Sequence, residues 1–128
     1  MKREYKKIQQ HKEKLLEIDS NVYYGIIPDN VEIETLDYFV FGQSKMRKSG
    51  TSSNDLNGYW YVVIVREEFI HDDVIKQVIS KLTEIHGLRL ADGDYEYNYI
   101  QKGNTNTIVE MCTLMFTKMK KGITDGEC

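Results

Sequence analysis

Two hydrophobic periods divide the chain into elements. Apolar residues at every third or fourth position predict helices over residues 3–18 and 72–86. Apolar and aromatic residues in runs, or in strict alternation, predict strands over residues 36–47, 58–67, 93–102 and 106–117. The order α-β-β-α-β-β predicts an α+β fold, a four-stranded and mostly antiparallel sheet with two helices packed on one face.

The two predicted helices differ in the width of their apolar stripes. The second has the wider stripe, with Asp72 or Asp73 as the expected N-cap and Gly87 where a left-handed residue often ends a helix. The first has a thin stripe and is mostly Lys, Glu and Gln elsewhere, so we expect it to cover the sheet and to expose His11.

The strongest strand pattern is the continuous apolar run over residues 58–67. A run of this kind is typical of a strand covered on both faces, here by a helix and by a second copy of the protein. The strand at 93–102 alternates, which places Tyr95, Tyr97 and Tyr99 on one face. It is expected to form a hairpin with the last strand across Gly103.

Polar segments separate these elements. Residues 20–35 contain the single proline and are expected to be irregular, and residues 48–57 are expected to form a long polar loop. We expect one domain over residues 1–118 and a flexible tail over residues 119–128.

Size and composition narrow the class of protein. The chain has 128 residues and 15.0 kDa, which suits one packed core. Its apolar runs are far shorter than the ~20 residues that span a bilayer, and no apolar stretch follows the first basic residues. Two cysteines, Cys112 and Cys128, make no disulfide framework, and Cys112 is expected to be a small core residue because it lies mid-strand among apolar neighbours. A soluble intracellular protein is therefore expected.

Charge is segregated along the chain although the net charge is only −3. Residues 1–14 hold six basic and two acidic side chains, and residues 45–48 add three basic ones. Residues 28–37 carry four acidic side chains and no basic one. Such segments are either solvated faces or complementary edges of neighbouring copies, as a head-to-tail ring requires.

Candidate chemistry is sparse. Asp92, Asp94 and Glu96 share a face and could ligate a divalent cation, but a solvated turn explains them as well. Nothing in the sequence supports a Cys–His nucleophile pair, a phosphate-binding loop or the buried Glu-x-Lys motif of metal-dependent nucleases. The tyrosines of the third strand could stack nucleic-acid bases, but acidic rather than basic residues flank them. We therefore predict no catalytic residues, no metal and no cofactor.

Two stretches give the chain a family resemblance. They are YWYVVIVREEF at residues 59–69 and GLRLADGDYEYNYIQKGNTNTIVEMCTLMFTK at residues 87–118. Together with the element order and the polar loop, they make the chain resemble the tail terminator or tail completion (neck) proteins of long-tailed phages and prophages. The resemblance is best over residues 36–118.

The resemblance implies a non-enzymatic virion assembly protein. Such proteins form a hexameric ring that caps the tail tube and joins it to the head connector, so the implied partners are copies of itself, the tail tube protein and the connector proteins. The protein would reside in the host cytoplasm and then in the virion, with no membrane partner and with DNA only passing through the lumen. The candidate subunit or tube interface residues are Asp29, Glu32, Glu34, Lys45, Arg47, Lys48, Asp55, Tyr95, Tyr97 and Tyr99.

Three other functions stay open, of which nucleic-acid binding would be revealed by a salt-sensitive gel shift. A small intracellular adaptor that binds other proteins would show the same charged loops without self-assembly. A metal-dependent nuclease would instead need the carboxylates around Asp94, and replacing that residue would abolish any stabilisation by divalent cations.

Overall fold

The computed structural model describes the backbone of residues 2–29, 34–48 and 56–120. The helices and strands are α1 (Lys2–Leu16), β1 (Val22–Tyr24), β2 (Tyr38–Lys48), β3 (Leu56–Glu67), α2 (Asp72–Leu82), β4 (Arg89–Leu90), β5 (Tyr97–Gln101) and β6 (Ile108–Lys120). The predicted α+β class is confirmed. The loop predicted over residues 48–57 is shorter than expected, because β2 extends to Lys48 and β3 begins at Leu56. Residues 49–55 lie outside the described residues.

Over the described residues the sheet is mixed and has six strands, so the prediction of four strands was too low. Its order is β1-β2-β3-β6-β4, and β5 pairs with β6 beside β4. β1 lies inside the segment predicted to be irregular and pairs in parallel with β2, with Val22 opposite Phe39. The other pairs are antiparallel. Strands of two or three residues, such as β4 and β1, are too short to show a hydrophobic period.

The second helix is shorter than its apolar pattern. It ends at Leu82, and the turn that follows contains Gly87 with φ +82°. The N-cap is His71, which makes no side-chain cap hydrogen bond. Asp72 and Asp73 lie in the first turn instead, where negative charge still suits the helix dipole. The prediction that one of them caps the helix was therefore wrong.

The core lies between the two helices and one face of the sheet. Its sheet side chains include Phe39 and Phe41 of β2 and Trp60 of β3, and its helical side chains include Leu15 and Leu82. Each fully buried side chain of this size contributes about 1.5–3 kcal/mol through removal from water. The prediction of two helices packed on one face is confirmed. The predicted core position of Cys112 is confirmed too.

A tight hairpin connects β5 to β6, as predicted. The Lys102 N–H donates to the Thr107 carbonyl at 2.9 Å, and Gly103 in the turn has φ +53°. β5 begins only at Tyr97, four residues later than predicted, and β6 extends to Lys120. The last strand thus enters the predicted tail, of which residues 121–128 lie outside the described residues.

Candidate interaction surfaces

The second face of the sheet carries a half-buried apolar surface, which we call the open face. Along β3, Trp60, Val62 and Ile64 point to the core, so Tyr59, Tyr61 and Val63 point the other way. The strand register extends this surface over its neighbours. The open face comprises Val40, Tyr59, Tyr61, Val63, Met111, Thr113 and Met115, each of them half-buried.

Both described helices pack on the opposite, core side of the sheet. The expected cover of one face of β3 by a helix is confirmed, and cover of the other face by a second copy stays a prediction. Within the described chain, the long apolar run of β3 supplies core on one side and the open face on the other.

One end of the open face is closed by a polar cluster. Lys102 Nζ lies 2.7 Å from Glu67 Oε2 and donates to the Glu34 carbonyl at 2.8 Å. The Leu36 N–H also donates to Glu67, at 2.6 Å. The hydrogen bond from Lys102 is the main reason that the pKa of Glu67 lies below its ordinary value. Val109 of β6 is paired with Glu67 of β3 on one side and with Ile100 of β5 on the other, and it is fully buried.

The other end of the sheet is basic. β1 pairs with β2 only over residues 39–41, so β2 continues beyond it as an unpaired edge among the described residues. This part of β2 exposes Lys45, Arg47 and Lys48. The ammonium of Lys45 lies 5.0 Å from the ring centroid of Tyr59, an open-face residue. The three basic candidates are therefore exposed together on one strand, next to the apolar surface.

The acidic candidates are only partly described. Asp29 and Glu34 are exposed, whereas Glu32 and Asp55 lie outside the described residues. The basic N-terminal segment is partly neutralised within the chain, because Lys14 forms an ion pair with Glu84 at 2.6 Å. The hydrogen bond from Lys14 lowers the pKa of the Glu84 carboxyl. Complementarity between the acidic and basic segments of neighbouring copies stays a prediction.

Only two of the three candidate tyrosines, Tyr97 and Tyr99, lie on β5, and Tyr95 packs against the core before the strand begins. Tyr95 precedes β5 and is half-buried, and its hydroxyl donates to the carbonyls of Ala91 and Met115. It therefore anchors the segment before β5 to β6. Tyr97 and Tyr99 lie on β5 and are 43% and 60% exposed. Hydrogen bonding to Glu110 is the main cause that raises the pKa of the Tyr99 phenol.

His11 is buried, contrary to the expectation from the thin stripe of α1. Its ring is 2% exposed and stacks on Trp60 with centroids 4.0 Å apart. Nδ1 lies 2.9 Å from the Lys7 carbonyl, and Nε2 has no hydrogen-bond partner among the described residues. Burial lowers the pKa of this imidazole to about 4. The signal was present in the sequence, because Ile8, His11 and Leu15 share a helical face.

The described residues bring no three His, Cys, Asp or Glu side chains together in a group that could hold a metal ion. Asp92, Asp94 and Glu96, the carboxylates considered for a cation, are all exposed. The Cys112 thiol is buried, which raises its pKa and disfavours the reactive thiolate.

Fold and surfaces together define a small α+β protein whose sheet offers an open face, a basic edge and an exposed edge strand. These features suit contacts with other protein chains. No family model matches the chain, and no curated protein matches it. In the described part of the chain, neither helix has the length and apolar character needed to cross a bilayer.

Proposed function

We propose that the chain is a non-enzymatic virion assembly protein of the tail terminator or tail completion type. It forms a ring on the finished tail tube of a long-tailed phage or prophage and joins the tube to the head connector. The observation that carries this proposal is the open face, which none of the described helices covers.

An apolar sheet face of this kind favours a protein partner. Tyr61, Met111 and Met115 remain half-buried rather than enclosed. Contiguous apolar patches on soluble proteins commonly mark interaction sites, and aromatic side chains and methionine are enriched there. In the proposed assembly, neighbouring subunits or the tube protein cover this face.

Segregated charge supports a head-to-tail arrangement. Lys45, Arg47 and Lys48 are exposed on one edge of the sheet, and Asp29 and Glu34 are exposed in the segment between β1 and β2. A cyclic ring needs two different, complementary surfaces on each subunit. Opposite charges on the two surfaces would guide the subunits into register and disfavour wrong contacts.

The test measures the mass of the purified protein by light scattering, alone and with tail tubes, followed by electron microscopy. Six copies of 15.0 kDa predict a ring of 90 kDa, either free or at tube ends. Reversing charge at Arg47 and Lys48 to Glu should weaken assembly while leaving the melting temperature near that of the parent, because both side chains are exposed.

A matched control reverses Lys76 and Arg89, which are also exposed but lie on α2 and β4, outside both basic segments. This control changes the net charge equally and should assemble normally. Equal loss of assembly in both variants would refute a specific role for the basic edge. Absence of rings both in solution and on tubes would refute the proposed function and favour the adaptor.

A further inference from the structure

β5 (Tyr97–Gln101) is an edge strand of the sheet, and its five residues are all exposed. Among the described strands it pairs only with β6. Three of its residues are large and apolar, namely Tyr97, Tyr99 and Ile100, and they are 43%, 60% and 48% exposed. Proteins usually protect such edges with lysine, proline or a covering loop, because an unpaired strand recruits another strand.

The backbone groups on this edge can be assigned. The Lys102 N–H donates to Thr107 on β6, so Lys102 faces β6. Inward and outward residues alternate along an antiparallel strand. Asn98 and Ile100 therefore bond to β6, opposite Met111 and Val109.

The remaining residues of β5 direct their N–H and C=O groups away from the sheet. They are Tyr97, Tyr99 and Gln101. Other backbone bonds of β6 agree with this alternation: the Ile108 carbonyl accepts from Glu68 on the β3 side, and the Met115 carbonyl accepts from Ala91 on the β4 and β5 side.

We infer that β5 pairs antiparallel with β5 of a second copy of this chain, about a two-fold axis at Tyr99. In this register Tyr99 lies opposite Tyr99 of the second copy, and Tyr97 lies opposite its Gln101. All three residues are outward-facing, so the two edges satisfy each other with about six hydrogen bonds.

The side chains fit the same register. Glu96 of one copy lies opposite Lys102 of the other at both ends of the paired strands. Lys102 already donates to Glu67 and to the Glu34 carbonyl, and its ammonium keeps a third N–H for Glu96. Asp94 lies opposite the uncharged Asn104. The two Tyr99 rings form a cross-strand aromatic pair at the axis, a type of contact that stabilises antiparallel strands.

This contact is isologous, so it differs from the head-to-tail contacts of a ring and does not depend on them. A ring that also paired through β5 would form a stack of two rings. The two proposals therefore predict different masses. Dimers alone give 30 kDa, a single ring gives 90 kDa, and a stacked pair gives 180 kDa, as multiples of 15.0 kDa.

The test compares Tyr99→Pro with Tyr99→Val by light scattering from about 10 μM to about 1 mM, a range in which weak dimers respond to mass action. Proline at this position removes only an outward-facing N–H, so β5 should stay paired with β6. Tyr99→Pro should halve the mass of the parent, whereas Tyr99→Val keeps the backbone donor and should retain the paired species. A third variant, Ile100→Pro, removes an inward N–H and should lower the melting temperature more than Tyr99→Pro.

Amide hydrogen exchange supplies the decisive readout. The amides of Tyr97, Tyr99 and Gln101 should gain protection as the parent concentration rises, while those of Asn98 and Ile100 are protected at all concentrations. A mass that Tyr99→Pro leaves unchanged, or outward amides that exchange fast at every concentration, would overturn the inference. A 90 kDa ring in the same experiment would still support the proposed function.

Discussion

Acid should destabilise the protein through His11, a residue that the core holds in its neutral form. Its pKa is about 4 in the folded protein against 6.5 for the unperturbed side chain, and desolvation by burial is the main cause. The charges of Lys118 and Lys7 lower it further, while the hydrogen bond to the Lys7 carbonyl opposes them. Protonation would place a cation against Trp60 in the core.

The direction and size of the effect follow from proton linkage. Between pH 6.5 and pH 4 the unfolded chain binds a proton at His11 and the folded chain does not, so the free energy of unfolding falls as the pH falls. Each pH unit inside this window costs about 1.4 kcal/mol. The loss is about 2 kcal/mol by pH 5 and about 3 kcal/mol by pH 4.

Urea unfolding at pH 7.5 and pH 5, followed by the fluorescence of the single tryptophan, measures this loss. His11→Leu removes the titrating group, so its stability should fall by about 2 kcal/mol less than that of the parent over the same interval. Carboxylates such as Glu67 and Glu84 titrate in both proteins, and the subtraction removes their contribution. His86→Gln replaces an exposed histidine and serves as the matched control.

The absolute stability of His11→Leu is not diagnostic, because the substitution also changes packing against Trp60. Only the difference in pH dependence tests the argument. Parallel pH profiles for the parent and His11→Leu would refute it. So would an imidazole that titrates near pH 6.5 in the folded protein by NMR.

Two further predictions concern the stability of the sheet. Asp19→Asn should lower the free energy of unfolding, measured in urea titrations, by about 2 kcal/mol. Asp19 and Arg66 form a largely buried ion pair at 3.1 Å, and Arg66 also packs over the Phe39 ring. The substitution leaves the Arg66 charge without its partner. Glu17→Gln breaks the exposed pair with Lys81 and should cost less than about 0.5 kcal/mol; an equal cost for both would contradict the burial argument. Gly42→Ala should cost about 1 kcal/mol, because an added Cβ would lie 2.9 Å from the Tyr61 hydroxyl oxygen. In a Tyr61→Ala background the cost of Gly42→Ala should disappear. A double-mutant cycle that shows no coupling between the two positions would refute the assignment of this cost to the Tyr61 ring.

Much of the fold follows from local pattern. Both helices and the four longer strands show periods that local sequence can report, and the β5–β6 hairpin carries its own turn signal at Gly103. Cys112 was assignable to the core because its strand neighbours are apolar. Alternation along β3 separates the core residues Trp60, Val62 and Ile64 from the residues of the open face. The exposure of Lys45, Arg47 and Lys48 likewise follows from the polar pattern at the end of β2.

Other features exist only once distant segments meet. β1 and β4 are held by pairing with β2 and β6 rather than by a pattern of their own. His11 shares a helical face with Ile8 and Leu15, but its burial depends on the aromatic rings of β2 and β3 that lie against α1. Local sequence specifies which residues alternate along each strand. The face that the helices cover and the strand that is left at the edge depend on the order in which strands pair, which forms only when distant segments meet.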